Sequence, residues 1–397
     1  MSTITHINQG DSVILLSEEI EVLEKILSSF NISSNCIDKQ QSIISFPQSY
    51  VGYINLPTRK ILIEPKHIGV DLRHILRIHF FLYSLQNEDF DEPIYDLDSN
   101  KTVDILKSFI FELSKVVKRG LPVSYKYFNE NIKELRGNLD LIKTTINLKL
   151  HRNNIFCCNF DDLSLDVPIN QLLLMALVKC ENLGNEIGQI KKFFINVSLP
   201  KTIPNIVLNT NTMYCKKAVT LAYMILNNIS VNDFGEKGYG NSFLVNFDKL
   251  FEDFVKLILT KHSGDFNFTY WDNEKPYASC FTDEGEYTKS YIPDLIYNYD
   301  PANVSAYCIL DMKNKVSMPF NNADVYQMFF YANQLNCKKV ILCYPSSKDR
   351  QNARLSFGNE SFFLKRLEAV YINIAGDTAL EFKNNIINFI EKVKSLL

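Results

Sequence analysis

The sequence predicts a protein of mixed class, α/β combined with α+β, in which an N-terminal region of strands and helices precedes a C-terminal α/β domain. Two observations predict this class. Short β-branched runs separated by a tight turn fill much of the first 64 residues. From residue 247 onward, apolar helical patterns alternate with apolar strands. We expect domains at residues 1–120, 121–234 and 241–397, with a glycine-rich hinge at 235–241.

The N-terminal domain begins with a helix over residues 17–27, for which Ser17 is a good N-cap residue. Strands come next, and residues 57–59 turn the second predicted strand back into the third. The predicted strands are 41–46, 50–56 and 60–64, and the helices that follow them are 71–85 and 101–117.

The middle region is basic and largely helical. Between residues 115 and 152, nine Lys or Arg accompany three acids, and aromatic residues lie among them. Such a stretch can follow a phosphate backbone, dock on an acidic protein surface, or form an ordinary solvated surface. The sequence leaves these three interpretations open. A leucine-rich helix over 163–183 and a helix over 216–228 complete the region.

The C-terminal domain begins with a helix over 247–259, whose apolar stripe places Glu252 at its border. Two β-branched and aromatic runs form a hairpin around a turn at 300–303. The remaining elements are the hairpin strands 290–299 and 305–313, a helix at 322–335, a strand at 339–344 stopped by Pro345, a helix at 360–367, a strand at 370–374 and a helix at 378–396.

Acidic and basic side chains converge at one end of this hairpin. Asp311 and Lys313 point to the same face of their strand, because side chains alternate with a period of two. Asp294 on the partner strand can face the same pocket. Carboxylates hold Mg²⁺ through oxygen, and a lysine can orient the attacking water or stabilise developing charge. Gln327 and Tyr331 share one face of the following helix.

The composition limits how the protein can contact nucleic acid and indicates its cellular compartment. A net charge of -3 and a pI near 6.1 confine any nucleic-acid contact to a local patch. The nine cysteines lack the C-x-x-C spacing of zinc sites, so we expect reduced thiols in a cytoplasmic protein. An apolar run of about 18 residues is absent, which predicts no membrane span.

In their order, these elements resemble the PD-(D/E)xK nuclease core, and more closely the McrC family, the nuclease subunits of McrBC-type restriction systems. The matching C-terminal phrases are residues 250–254, 292–294, 311–313, 324–332 and 340–345. The upstream phrases are 51–54, 61–66, 135–140 and 161–170, so the resemblance covers most of the chain from about residue 45 onward.

The resemblance implies a role for each residue of the hairpin site. Asp294, Asp311 and the backbone carbonyl of Met312 would hold Mg²⁺, for which Mn²⁺ is a substitute. Lys313 would be the catalytic lysine. Glu252 would bind a second metal ion or orient Lys313, although Asp253 next to it competes for the inward position.

The neighbouring residues have less specific roles. Gln327 and Tyr331 would shape the pocket or contact the DNA backbone, and Tyr331 also suits core packing. Lys315 is a second lysine near Asp311, but its spacing departs from the motif.

The resemblance also implies partners. McrC-like proteins act with a McrB-like AAA+ GTPase, a hexameric ring that reads DNA, and this chain has no P-loop motif of its own for a nucleotide. Lys118, Arg119 and Arg136 would face that ring, although Arg136 next to Gly137 also suits a structural role in a tight turn. We therefore expect Mg²⁺-dependent cleavage of cytosine-methylated, double-stranded DNA.

Two other functions remain open from the sequence. The same nuclease fold serves multi-subunit restriction enzymes in which a partner reads unmethylated sites. A chain that has lost cleavage would act as an adaptor that only activates its NTPase, but the intact Asp311 and Lys313 favour cleavage.

Overall fold

The computed structural model describes residues 3–83, 105–152, 154–180, 185–233, 239–262, 264, 266–271, 275–282, 285–316, 318–358 and 363–397. The chain forms two compact units. Unit 1 comprises Met1–Val103 and Asn228–Leu397, and unit 2 comprises Asp104–Asn227.

The described N-terminal part of unit 1 contains six strands and two α-helices. In chain order they are β1 (Thr3–Asn8), β2 (Ser12–Ile14), α1 (Ser17–Ser29), β3 (Ile37–Asp38), β4 (Ile43–Ser45), β5 (Tyr50–Asn55), β6 (Arg59–Glu64) and α2 (Leu72–Tyr83).

Unit 2 combines helices with a three-stranded sheet of order β7-β9-β8. Its elements are α3 (Ile105–Arg119), β7 (Ser124–Ile132), β8 (Asn138–Leu139), α4 (Leu141–Lys149), β9 (Phe156–Ser164), α5 (Pro168–Lys179), α6 (Asn185–Lys191) and α7 (Lys216–Asn228). The predicted helix over 163–183 therefore begins too early, because residues 163 and 164 belong to β9 and Pro168 starts α5 at a position that needs no N–H donor.

The C-terminal part of unit 1 carries most of the strands. Its elements are β10 (Ile229–Asp233), β11 (Tyr239–Asn246), α8 (Phe247–His262), β12 (Phe268–Tyr270), β13 (Lys275–Thr282), β14 (Gly285–Tyr291), β15 (Leu295–Asp300), β16 (Ser305–Met312), α9 (Asn322–Gln334), β17 (Lys339–Ser346), β18 (Ala353–Ser356), β19 (Arg366–Asn373) and α10 (Ala379–Leu396).

A five-stranded sheet of order β1-β6-β5-β11-β10 joins the two ends of unit 1. β11 pairs antiparallel with β5, with Phe243 opposite Tyr53. Gly52 allows this pairing, because a Cβ there would lie 2.0 Å from the Phe243 carbonyl oxygen. The predicted N-terminal and nuclease regions thus share one sheet. The predicted hinge at 235–241 lies partly outside the described residues, and Asn241 belongs to β11.

A six-stranded sheet of order β12-β15-β16-β17-β19-β18 forms the second core of unit 1. Strands β16, β17 and β19 run parallel, and the other pairs are antiparallel. Ile309, Val340 and Leu342 on one face pack with Met328 and Ala332 of α9. Helices α8 and α10 contact β16 and β19, and their Phe254 and Phe382 rings stack at 5.8 Å.

Most predicted helices agree with the structure, and four further local expectations are wrong. The predicted strand 290–299 is divided, because residues 290 and 291 end β14 and β15 begins at Leu295. Ser17 is the first residue of α1 rather than its N-cap, which is Leu16. Residues 366 and 367 belong to β19, not to a helix, whereas residues 360–362 lie outside the described part of the chain. Pro345 does not end β17, which continues to Ser346.

Two expectations from composition can be compared with the structure. All nine cysteines are free thiols, as predicted. In the described residues, the helices include none that combines membrane-spanning length with sufficient hydrophobicity.

Candidate active site

Asp294 and Asp311 come together where β15 and β16 meet. Leu295 lies opposite Leu310 in the antiparallel register, so the residue before β15 faces Asp311. The Met312 N–H donates to Asp294 Oδ2 at 2.8 Å, which fixes the Asp294 carboxyl at this strand end. Asp311 is only 2% exposed.

Burial and mutual repulsion make both carboxyls harder to ionise. Burial is the largest cause that raises the pKa of Asp294, to about 7, and the charges of Asp311 and Glu252 add to it. Burial also raises the pKa of Asp311, although the Lys313 ammonium opposes this effect. Two buried acids that repel one another favour a bound cation.

Lys313 places its ammonium beside this pair. Its Nζ lies 2.6 Å from Asp311 Oδ2 and donates to Gln327 Oε1 at 3.0 Å. Its backbone N–H donates to the Cys343 carbonyl at 2.9 Å, so the residue stays attached to the sheet just beyond β16. Burial alone would lower the pKa of Lys313, but the contact with Asp311 raises it, and the side chain stays protonated.

Helix α9 holds the lysine from the other side. Gln327 Nε2 donates to Tyr331 Oη at 2.9 Å, and Tyr331 Oη donates to the Ile292 carbonyl at 3.2 Å. Tyr331 is also buried against Tyr291, so it serves core packing and the site together. The predicted helical face therefore does converge on Lys313.

Glu252 of α8 is the third carboxyl whose charge reaches the cluster. It is half-buried and forms an ion pair with Lys256 at 2.5 Å, whereas Asp253 is exposed. Its negative charge contributes to the raised pKa values of both Asp294 and Asp311. Of the two neighbouring acids, Glu252 is the one that faces the site.

Sequence reasoning did not find a second ion pair near Lys313, in which only the acid is buried. Asp324 in the first turn of α9 is 4% exposed and accepts from Lys315 Nζ at 2.6 Å. Its charge adds to the raised pKa of Asp311. An acid in a first helical turn is usually a dipole partner, so its position in the sequence gave no sign of this role.

The donor set suits a small hard cation. Asp294, Asp311 and the Met312 carbonyl offer oxygen ligands, and apart from the Lys313 ammonium, Asp311 Oδ2 accepts no hydrogen bond within the described residues. The described part of the chain contains no ready group of three His, Cys, Asp or Glu side chains around a metal position. Water and substrate phosphate oxygens would have to complete the shell, as is usual for Mg²⁺.

The predicted partner-facing residues lie in unit 2. Arg136 pairs with Asp162 at 2.8 Å and lies 4.7 Å from the Phe160 ring, next to Gly137 in the left-handed conformation with φ of 60°. These contacts give Arg136 a structural role in the turn. Arg119 lies over the Tyr214 ring at 4.3 Å, and Lys118 is exposed at the end of α3.

Comparison with known proteins decides the family. The profile of the McrBC 5-methylcytosine restriction system component family matches residues 47–345. The chain belongs to this family. The match begins close to residue 45, where the sequence resemblance was expected to start, and it includes Asp294, Asp311 and Lys313.

Solved structures with a similar fold come from Thermococcus gammatolerans. One is a refined half-complex from a tetradecameric assembly of McrB AAA+ hexamers with bound McrC, with a TM-score of 0.55, 15% identity and 100% coverage of both chains. Another is the cryo-EM structure of the McrBC complex, with a TM-score of 0.41 and 16% identity over 67% of this chain and 89% of that one. Among curated proteins, none matches the chain.

Proposed function

We propose that this McrBC family member is the DNA-cleaving subunit of its restriction system, a Mg²⁺-dependent endodeoxyribonuclease with a PD-(D/E)xK core. The buried cluster of Asp294, Asp311 and Lys313 at the end of β16 carries the proposal. The order of α8, β15, β16, α9 and β17 supports it, since the nuclease core has the same order of helices and strands.

The carboxyl pair would hold the metal ion. Asp294, Asp311 and the Met312 carbonyl are the proposed ligands, and Glu252 is the proposed ligand of a second ion or a positioning group. When bound, Mg²⁺ supplies charge neutralisation at the phosphodiester. The repulsion between Asp294 and Asp311 would then become an attraction to the cation.

Lys313 would act on the reacting atoms. Its protonated Nζ donates to the attacking water or to the phosphate oxygen that gains negative charge. Asp311 and Gln327 hold that ammonium in place. The attacking water gives a proton to solvent as its oxygen bonds to phosphorus, one P–O ester bond breaks, and the leaving oxygen takes a proton from solvent.

We further propose that cleavage depends on a McrB-like AAA+ GTPase in the cytoplasm. The solved structure of similar fold comes from an assembly of McrB AAA+ hexamers with bound McrC, and this chain lacks a P-loop motif. The partner would recognise methylated double-stranded DNA. Lys118 and Arg119 are the proposed contacts with it, and Arg136 would support the adjoining turn.

A plasmid assay tests this function. Methylated and unmethylated plasmids are incubated with Mg²⁺, with and without the partner NTPase and GTP or ATP. Cleavage of methylated plasmid only in the complete mixture is the expected result. Cleavage of unmethylated plasmid instead would indicate a sequence-specific restriction enzyme. Stimulated NTP hydrolysis without cleavage under any condition would contradict the nuclease proposal and identify an adaptor.

A further inference from the structure

Asn314 immediately follows Lys313 and is a buried amide with two side-chain partners. It is 8% exposed. Its Nδ2 donates to Asp248 Oδ1 at 2.7 Å, and its Oδ1 lies 2.6 Å from His67 Nε2. The side chain therefore connects two segments that are distant in the sequence to the segment that carries the lysine.

The hydrogen-bond pattern fixes the form of His67. Asn314 Nδ2 donates to the Asp248 carboxyl, so it is the amide nitrogen. Asn314 Oδ1 is then the acceptor toward His67, and His67 Nε2 must carry the proton. Burial is the largest cause that lowers the pKa of His67, and nearby cations, Lys66 and Arg350, add to it. The ring is thus neutral, and its edge packs on Phe247 at 6.2 Å.

The two partners of Asn314 belong to two other segments of unit 1. His67 follows β6 of the five-stranded sheet, and Asp248 lies in the first turn of α8. Asp248 also precedes Glu252 by four residues, so both acids share one face of that helix. One buried amide therefore relates the sheet, α8 and the end of β16.

We propose that His67, Asn314 and Asp248 are positioning residues that keep the Lys313 ammonium between Asp311 and Gln327. The inference rests on the proposed nuclease function for its catalytic consequence. Its structural core is independent of that function. Beyond Met312 the segment has left the strand, and the hydrogen bonds of Asn314 follow directly after the Lys313 N–H bond to Cys343. Without them, the restraints on Lys313 are that backbone bond, the hydrogen bond that the Lys315 N–H donates to its carbonyl at 3.0 Å, and the ammonium contacts.

Two variants and one control test this relay, the hydrogen-bonded chain of His67, Asn314 and Asp248. Asn314→Ala removes both hydrogen bonds, and His67→Gln retains an N–H donor in a different geometry. His74→Gln is the control, because His74 is an equally buried histidine of unit 1 whose near partner, Asp71, immediately precedes its own helix, with Asp377 3.9 Å away. Each variant is examined by single-turnover cleavage with the complete mixture, by KM, and by amine acylation of Lys313 detected by mass spectrometry.

The expected result separates positioning from folding. Asn314→Ala should lower the cleavage rate about 10- to 100-fold with little change in KM, since small displacements of a catalytic group cost this much. Acylation of Lys313 should rise several-fold while that of Lys339 in β17 stays constant, and thermal unfolding should remain cooperative. His67→Gln should show the same changes to a smaller extent, and His74→Gln should show none.

Other results would contradict the relay and the nuclease proposal separately. Unchanged Lys313 acylation in Asn314→Ala contradicts the relay, whatever happens to cleavage. If that variant does not fold, unchanged acylation and cleavage in His67→Gln contradict it. Increased acylation in a protein whose native form never cleaves DNA supports the relay and refutes the nuclease proposal.

Discussion

At the residue scale, ionisation of the buried Asp294 carboxyl opposes folding. Its pKa is raised from 3.8 to about 7, mainly by burial and then by Asp311. For an acid with a raised folded pKa, ionisation costs stability. That cost is absent below the unfolded pKa, grows as pH rises from about 4 to 7, and is complete above pH 7.

Replacing Asp294 with Asn should therefore stabilise the metal-free protein at high pH. We expect a gain on the order of 2–4 kcal/mol in the free energy of unfolding at pH 8, because the amide is neutral and keeps an acceptor for the Met312 N–H. The gain should disappear near pH 4. Urea unfolding in EDTA at both pH values measures it, with Asp161→Asn, at an exposed position of β9, as control. A less stable Asp294→Asn at pH 8 would refute the pKa argument.

Removal of Mg²⁺ should destabilise the native protein more than the Asp294→Asn variant. The proposed Mg²⁺ site exists only in the folded state, so the ion should raise the melting temperature of the native protein at pH 8, and EDTA should reverse the rise. Asp294→Asn should respond little, since it lacks one of the two proposed carboxylate ligands of the ion. Equal shifts in both proteins would show that the stabilising ion binds elsewhere.

At the element scale, α1 and β6 are joined by a buried ion pair that the sequence does not suggest. Glu19 is fully buried and accepts two hydrogen bonds from Arg59, at 2.8 and 3.0 Å, and one from Thr58. Burial opposes ionisation of Glu19, but the Arg59, Leu16 and Thr58 donors outweigh it and lower the pKa below 4.5. The amphipathic pattern alone predicts a solvated glutamate at this position.

Glu19→Gln should destabilise the protein far more than Glu21→Gln. Loss of one partner of a buried pair costs about 3–5 kcal/mol, whereas exposed pairs such as Glu21 with Lys25 contribute little. The difference should be present above pH 4.5 and shrink as the pH falls through the lowered pKa of Glu19. Urea unfolding of both variants checks this, and equal effects would contradict the structural role of the pair.

The structure also explains which elements could be predicted. α9 and its Gln327–Tyr331 face follow from local periodicity alone, and so does the alternation that aligns Asp311 with Lys313. Pro345 is different. β16 ends opposite Cys343, so at Pro345 only β19 flanks β17, and the missing N–H is tolerated. Such a result depends on the sheet order, which the sequence does not contain.

Polar contacts between distant segments could not be predicted from the sequence either. His67 and Asn314 are 247 residues apart in the sequence, and each resembles an ordinary polar residue in its own segment. Asp294, Asp311 and Lys313 could be grouped only because a short hairpin brings them together. The site was thus predictable where its residues share one hairpin or one helix, and not where distant segments meet.

At the scale of the whole molecule, the shared five-stranded sheet makes unit 1 a discontinuous structure. Phe243, Leu244 and Val245 of β11 are almost completely buried, and β11 pairs with β5. A boundary before residue 241 would separate these strands. The glycine-rich sequence there predicts a hinge, but β11 begins at Tyr239 and pairs with β5, so residue 241 does not start an independently folding domain.

A fragment of residues 241–397 should therefore fail to fold cooperatively. Its exposed β11 edge and the missing contact of α8 with α2 should make it unstable or aggregated. A protein in which a flexible linker replaces residues 104–227 should keep a cooperative transition. The fluorescence of Trp271, the single tryptophan, reports on unit 1 in both proteins. A sharp transition in the fragment would contradict the shared-sheet argument.

The measurement that tests the central claim most directly compares two lysines in the complete cleavage mixture. Lys313 contacts Asp311 and Gln327, whereas Lys315 contacts Asp324. Lys313→Ala, like Asp311→Asn, should abolish cleavage while partner binding persists, and Lys315→Ala should retain most of the activity. Full cleavage by Lys313→Ala and Asp311→Asn would contradict the assigned active site.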